Sequence, residues 1–148
     1  MKYFSYGSNM GEKRMKERGV SFTKRYKGVL ENYTLTINKK SYKNPKLGYA
    51  NVKPEENSIV EGVIYDLTER EFLILDKFEG FPLHYRREEL DVNVDGKMER
   101  CVVYIAQAKW TVTMELKTNV GYKNYLLEGK DLLSSEYLNE KINIIKTL

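Results

Sequence analysis

The feature that most constrains the fold of this 148-residue chain is a β-hairpin pattern between Asp91 and Gln107. Apolar residues alternate with polar ones on both sides of a central turn, namely Leu90, Val92 and Val94 before it and Cys101, Val103 and Ile105 after it. Asp95-Gly96 lies between them and suits a type I′ turn, because both residues tolerate positive φ angles. The pattern predicts two antiparallel strands with one buried face, and it places Cys101 in the core.

Other segments also read as strands. Alternating Tyr33, Leu35 and Ile37 predict a half-buried strand, followed by a turn-rich stretch over 41–46 that could overhang a site. Two further strands are predicted over 48–52 and 59–67, separated by Pro54 and polar residues. Because strands outnumber helices and several are joined by hairpins, we expect an α+β fold with a mixed, mostly antiparallel sheet.

The predicted helices are placed by caps and apolar spacing. Thr68 and Glu71 have the spacing of a capping box, and Gly80 is expected to end the helix that they begin. One face of this helix is predicted to be apolar through Phe72, Leu75 and Phe78. Two C-terminal helices are predicted over 122–128 and 135–146, the second with a buried stripe of Leu138, Ile142 and Ile145.

Length and composition favour a single domain over residues 1–148. The hydrophobic share of 41% and the charged share of 31% are typical of a globular protein. Apolar runs of membrane-spanning length and a signal-peptide pattern are both absent, so we expect no membrane association and a cytoplasmic location. A single cysteine, Cys101, and a single histidine, His84, leave too few ligands for a zinc site, so we expect no metal.

The net charge of +4 raises the possibility of nucleic-acid binding, with the densest basic stretch over 13–27. Lysines are interspersed with glutamates through much of the chain, and no helix-turn-helix, zinc-finger or RNP pattern is present. A basic structural or RNA-associated protein would need a continuous positive face with exposed aromatic residues. We therefore expect no nucleic-acid partner.

The N-terminal segment combines an apolar strand, a tight loop and a charged helical stretch. Gly7 allows the backbone to turn and to approach a ligand, and Ser8 and Asn9 are both good N-caps for a helix over 11–18. Backbone N–H groups at such a helix start are suited to binding an anion. A capped connection without function is the alternative on local chemistry alone.

Together with a mid-chain segment, this loop resembles the γ-glutamylcyclotransferase (AIG2-like) family. That family has a Tyr-Gly-Ser-Asn loop, here residues 6–9, and an acidic residue before glycine in a Leu-Asp-x-x-Glu-Gly context, here residues 75–80. Further similar segments follow in the family's order at 47–52, 62–65, 85–87 and 121–125. The resemblance implies a small β-barrel flanked by helices. It also implies a cofactor-free acyl transfer that forms a lactam, releasing 5-oxoproline and an amine from a γ-glutamyl amide.

The resemblance also assigns roles to residues. Glu79 is the expected general acid/base, and a helix C-terminus with Phe78 and Phe81 nearby should raise its pKa. Substrate-binding roles are implied for Tyr6, Gly7, Ser8, Asn9, Tyr85 and Tyr122. Arg86 could bind the substrate carboxylate or form a surface ion pair. Asp76 is interpreted as structural. His84 is the alternative base.

Three matters stay open at this stage. A protein with the same fold could bind or sense a γ-glutamyl or acidic metabolite without turnover. Such a binder would, however, gain little from a carboxylate in its pocket. The leaving amine could be an amino acid, an isopeptide lysine or an antibiotic intermediate. The protein could be a monomer or a homodimer.

Overall fold

The computed structural model describes residues 1–148 and contains five β-strands that close into a barrel. In chain order these are β1 (Lys2–Ser5), β2 (Arg25–Lys40), β3 (Gly48–Asp66), β4 (Tyr85–Val94) and β5 (Lys97–Ala106). Around the barrel they run β1-β3-β2-β4-β5. Tyr3 and Val102 pair β1 with β5 in parallel, and the other pairs are antiparallel. The predicted α+β fold, with a mixed and mostly antiparallel barrel flanked by helices, is confirmed.

The hairpin is formed as the sequence predicts. Asp95 and Gly96 have φ angles of 51° and 87°, as a type I′ turn requires, and Val94 pairs with Lys97 across it. Cys101 is buried, as expected. The first strand of the hairpin begins at Tyr85, earlier than the apolar alternation alone indicated.

The predicted break at Pro54 is wrong, because β3 runs without interruption from Gly48 to Asp66. Pro54 pairs with Tyr33 next to a register shift in β2, where Asn32 has a φ angle of 63°. A proline is tolerated at such an irregular position because the ladder does not need its missing N–H there.

Four α-helices surround the barrel: α1 (Glu12–Glu17), α2 (Glu69–Glu79), α3 (Val120–Leu127) and α4 (Ser135–Tyr137). A 3₁₀ turn covers Ala108–Trp110, and a π-helical segment, Leu138–Ile142, follows α4. The single regular helix predicted over 135–146 is therefore wrong. The N–H of Asn143 bonds the carbonyl of Leu138, five residues back, which widens the turn. Ile142 and Ile145 are buried as predicted.

Helix α2, which carries Glu79, ends as predicted but departs from the prediction in its capping and in the exposure of Phe78. Gly80 ends it in the left-handed conformation, as expected. The hydroxyl of Thr68 bonds the Glu71 carboxylate and not the helix backbone, so the capping box is not formed. Phe72 is fully buried, whereas Phe78 is 52% exposed and packs under the guanidinium of Arg18.

The core fills the barrel and the space beneath α2. Its largest fully buried side chains include Phe4, Tyr65 and Phe72, and burying each such side chain stabilises the fold by ~1.5–3 kcal/mol. None of the helices has the length and apolar character that a membrane crossing needs.

Candidate active site

A cavity of about 430 Å³ lies between the end of β1, the loop that follows it and the end of α2. Its lining includes every residue for which the sequence implied a catalytic or binding role, namely Tyr6, Gly7, Ser8, Asn9, Glu79, Tyr85 and Tyr122. The structure thus brings together two motifs that lie about 70 positions apart in the chain. Ser41, Tyr42 and Lys43 also line the cavity, so the 41–46 segment does border the site.

Glu79 is the only carboxylate that lines the cavity. Its side chain is 17% exposed, with Arg18 Nη1 3.7 Å from Oε1. Burial raises the pKa of Glu79, and the positive charges of Arg18, Arg14 and Lys39, together with a hydrogen bond from Asn9, oppose this rise without cancelling it. The direction agrees with the sequence prediction. Phe78 and Phe81 are both exposed, so they are not the main cause of the raised pKa of Glu79.

Asn9 links the N-terminal loop to Glu79. Its side-chain amide is 2% exposed and donates from Nδ2 to Glu79 Oε1 at 3.2 Å and to the Tyr3 hydroxyl at 3.0 Å. Its Oδ1 accepts from Arg18 Nη1 at 3.0 Å. Because these partners use both the donor and the acceptor of the amide, Asn9 fixes the position of Glu79 in the cavity.

The predicted capping of α1 by Ser8 or Asn9 is wrong. The N-cap is Gly11, with no side-chain hydrogen bond, and the Asn9 amide is occupied by the contacts described above. The helix start does not line the cavity, so it offers no anion site there. Helix α1 instead contributes Arg14 and Arg18, one turn apart, to the cavity wall.

Gly7 lies in a tightly packed part of the cavity wall. A Cβ atom at this position would lie 3.2 Å from Ala50 Cβ and 3.4 Å from the Tyr122 hydroxyl. The Tyr122 hydroxyl accepts a hydrogen bond from the Ala50 N–H at 3.0 Å and makes none to Glu79. The backbone N–H of Tyr122 donates to Oδ1 of Asn119, the N-cap of α3, at 2.7 Å. Gly7 therefore allows a close approach within the cavity wall.

Tyr6 and Tyr85 contribute ring surface to the cavity, because their hydroxyls are already bonded. Tyr6 donates to the carbonyl of Tyr104, and Tyr85 donates to the carbonyl of Ala50 at 2.8 Å. These bonds hold both rings in fixed orientations.

Arg86 lies outside the cavity lining. It bonds the Ala106 carbonyl at 2.9 Å and Glu88 at 2.8 Å, which matches the surface ion pair among its two possible roles. Asp76 accepts from Arg87 at 3.0 and 2.7 Å and from the Tyr104 hydroxyl at 2.6 Å. These contacts agree with the structural interpretation of Asp76.

Sequence reasoning missed Lys39, a buried lysine in the cavity wall. Its ammonium donates to Nδ1 of His84 at 2.8 Å. Burial lowers the pKa of Lys39 to about 8, which the charge of Glu79 partly offsets. The pKa of His84 is lowered by partial burial and by the nearby charges of Lys39 and Lys109. The alternation of Tyr33, Leu35 and Ile37 did not reveal it, because β2 has a register shift between Ile37 and Lys39.

The closed barrel and its polar cavity, in which a loop amide holds one largely buried carboxylate, define a small barrel protein with a candidate ligand site. Residues 3–127 match the γ-glutamyl cyclotransferase, AIG2-like family, and the chain belongs to this family. Family and fold together support an enzyme of the γ-glutamyl cyclotransferase type.

Similar proteins share the fold along the whole chain. A solved γ-glutamyl cyclotransferase structure superposes with a TM-score of 0.82 at 22% identity, covering 100% of this chain and 89% of the other. A human protein superposes with a TM-score of 0.82 at 25% identity, covering 99% and 88% of the two chains.

A Methanocaldococcus jannaschii protein, named as a γ-glutamylcyclotransferase and candidate RNase, is 27% identical over 104 residues. The match covers 69% of this chain and 44% of the relative, so this chain matches less than half the length of that relative.

Proposed function

We propose that this protein is a γ-glutamylcyclotransferase that converts a γ-glutamyl amide into 5-oxoproline and a free amine. The observation that carries the proposal is the hydrogen bond from Asn9 to Glu79, because it joins the loop motif and the acidic motif at one cavity. The loop over residues 6–9 would hold the γ-glutamyl group beside the carboxylate.

The reaction needs no nucleophile from the enzyme. The substrate's own α-amine attacks its γ-carbonyl carbon, so a ring C–N bond forms and the exocyclic C–N bond breaks. The α-ammonium has a pKa of roughly 8 in free form and must first lose a proton. Glu79 accepts that proton and returns it to the departing nitrogen as the tetrahedral intermediate collapses. A carboxylate with a raised pKa suits both steps.

The cavity wall would contribute by holding the flexible γ-glutamyl chain in a folded shape. Ring closure within one molecule gains much of its rate from such positioning. The fixed rings of Tyr6, Tyr85 and Tyr122 provide rigid surfaces for it. Arg14 lines the cavity and forms no ion pair with a protein carboxylate, so we assign its guanidinium to the α-carboxylate of the substrate.

The direct test is incubation with a panel of γ-glutamyl dipeptides and γ-glutamyl amines, with 5-oxoproline as the readout. We expect turnover by the wild type and loss of turnover in Glu79→Gln. Glu69→Gln, on the exposed part of the same helix, is the matched control and should retain activity. Binding of the panel without any 5-oxoproline would instead favour a binder or sensor.

The cofactor-free scheme has a separate test. Activity should survive exhaustive treatment with a chelator, because each step uses only the substrate and protein side chains. Activity that is lost on chelation and restored by one divalent ion would contradict the scheme.

A further inference from the structure

The ammonium of Lys39 is buried in the cavity wall without a carboxylate beside it. The side chain belongs to β2, and the residue is 4% exposed. Its one hydrogen bond goes to the neutral ring nitrogen of His84. A buried charge is costly unless it is paired, so this group can gain from a partner that the protein itself does not supply.

Aromatic rings hold the Lys39 ammonium in place. It lies 5.1 Å from the ring centroid of Trp110 and 5.8 Å from those of Tyr49 and Tyr85. His84 stacks on Trp110 with ring centroids 4.3 Å apart, which fixes the hydrogen-bond acceptor as well. The Lys39 ammonium is therefore oriented by neutral groups alone and remains available to bind an anion.

The charges around the cavity are unbalanced. Its lining carries five cationic side chains, Arg14, Arg18, Lys39, Lys43 and Lys77, against the single carboxylate of Glu79. Arg18 is paired with Glu79 through Asn9, and under the proposed function Arg14 receives the α-carboxylate of the γ-glutamyl group. The γ-glutamyl group has no second carboxylate to offer, so an anion for Lys39 must come from the amine part of the substrate.

We propose that Lys39 binds a carboxylate on the leaving amine, so that the enzyme selects γ-glutamyl amino acids over γ-glutamyl amines that are neutral or cationic. This inference rests on the proposed function. A cationic leaving group would meet repulsion from Lys39 and Lys43, whereas a carboxylate would form a charge-assisted hydrogen bond. Tyr42, which packs against Trp110 and His84, offers an apolar surface to the amino acid side chain.

The test compares γ-glutamyl-alanine with γ-glutamyl-alaninamide, which differ only in the carboxylate. We expect the wild type to favour γ-glutamyl-alanine by about 10- to 100-fold in kcat/KM, the range for a hydrogen bond to a charged group. Lys39→Met should reduce that ratio to near one, and Lys39→Arg should keep most of it. Lys40→Met is the matched control, because Lys40 is the next residue on β2 and does not line the cavity. Its ratio should stay at the wild-type value.

An unchanged ratio in Lys39→Met would overturn the inference and leave the proposed function intact. If the wild type releases no 5-oxoproline from these two compounds or from the wider panel, the proposed function fails, and calorimetry with the same two compounds decides the inference. Turnover of a neutral or cationic γ-glutamyl amine without turnover of γ-glutamyl-alanine would overturn the inference alone. Tighter binding of γ-glutamyl-alanine that depends on Lys39 would support it, whereas equal affinity or no binding would overturn it. Should Lys39→Met fail to fold, Lys39→Gln serves in the same assays.

Discussion

The two ends of the cavity each hold one charged group, and the two groups differ in their partners. At one end the Glu79 carboxylate has Asn9 bonded to it and Arg18 within 3.7 Å. At the other end the Lys39 ammonium contacts only His84 and aromatic rings. Burial raises the pKa of the acid and lowers that of the lysine, so burial disfavours both charges.

The difference indicates a division of labour. A carboxylate that is positioned by an amide, with its pKa raised and cations nearby, is suited to accept and return a proton. An ammonium without a counter-ion is suited to bind an anion that arrives with the ligand. The loop over residues 6–9 defines the first end, and the last residues of β2 define the second.

The largest expected effect is at the acid end. Glu79→Gln should lower kcat by about 10²- to 10⁴-fold, because the amide is nearly isosteric but cannot accept a proton. Thermal denaturation should show that the variant still folds cooperatively, because the glutamine Oε1 can keep the hydrogen bond from Asn9, although Arg18 loses its counter-charge. Activity within a few-fold of the wild type would remove Glu79 from the mechanism.

The second prediction concerns the stability cost of the lysine end. Because the folded protein releases the Lys39 proton at about pH 8 and the unfolded chain near 10.5, the wild type should gain stability relative to Lys39→Met as the pH rises between these values. The gain should reach up to about 3 kcal/mol. Urea denaturation at pH 7.5 and 10 measures it.

Lys39→Met should lose this gain, and Lys40→Met should keep it. The same pH dependence in wild type and Lys39→Met would show that Lys39 is not desolvated, and the contrast between the two ends would then fail.

The third prediction uses the pH dependence of kcat/KM. The acidic limb should lie above the free glutamate value of roughly 4.3, since burial raises the pKa of Glu79. The charge of Arg18 lowers that pKa, so Arg18→Met should move the limb to higher pH, whereas Arg18→Lys should not. His84→Gln should leave the limb in place. A limb that disappears in His84→Gln while the rate persists would assign the base to His84.

The smallest expected effect is at Gly7, in the loop over residues 6–9. Gly7→Val should raise KM about ten-fold for a γ-glutamyl substrate, because its side chain would displace Ala50 or Tyr122 from the cavity wall. Thermal denaturation of the same variant provides the comparison. An equal loss of binding and of stability would favour a purely structural role for Gly7.

Local patterns predicted the parts of the fold that local forces determine. The hairpin follows from Asp95-Gly96 and its flanking alternation, and the end of α2 follows from Gly80. Barrel closure depends on the pairing of Tyr3 with Val102, about 100 residues apart, which no local pattern encodes. The family resemblance supplied it. The break expected at Pro54 did not occur, because pairing with β2 outweighed the local preference.

The candidate site was predicted unevenly for the same reason. The motifs identified Asn9 and Glu79. The local pattern predicted helix capping by Asn9, beside the substrate-binding role that the resemblance implied, whereas its side chain bonds Tyr3, Arg18 and Glu79. Arg18 carried no sequence signal, because a charged residue on a short helix is usually solvated. The burial of Lys39 could not be predicted from alternation, because a register shift in β2 lies between Ile37 and Lys39.

The proposed mechanism requires Glu79 to face the α-amine of a γ-glutamyl substrate. A crystal structure of Glu79→Gln with uncyclised γ-glutamyl-alanine bound would show this geometry. We expect the α-nitrogen to lie about 3 Å from the side chain at position 79, the γ-glutamyl group against the loop over residues 6–9, and the alanine carboxylate at Lys39. A reversed ligand, with its α-carboxylate at Lys39 and its α-amine remote from position 79, would contradict the proposed mechanism.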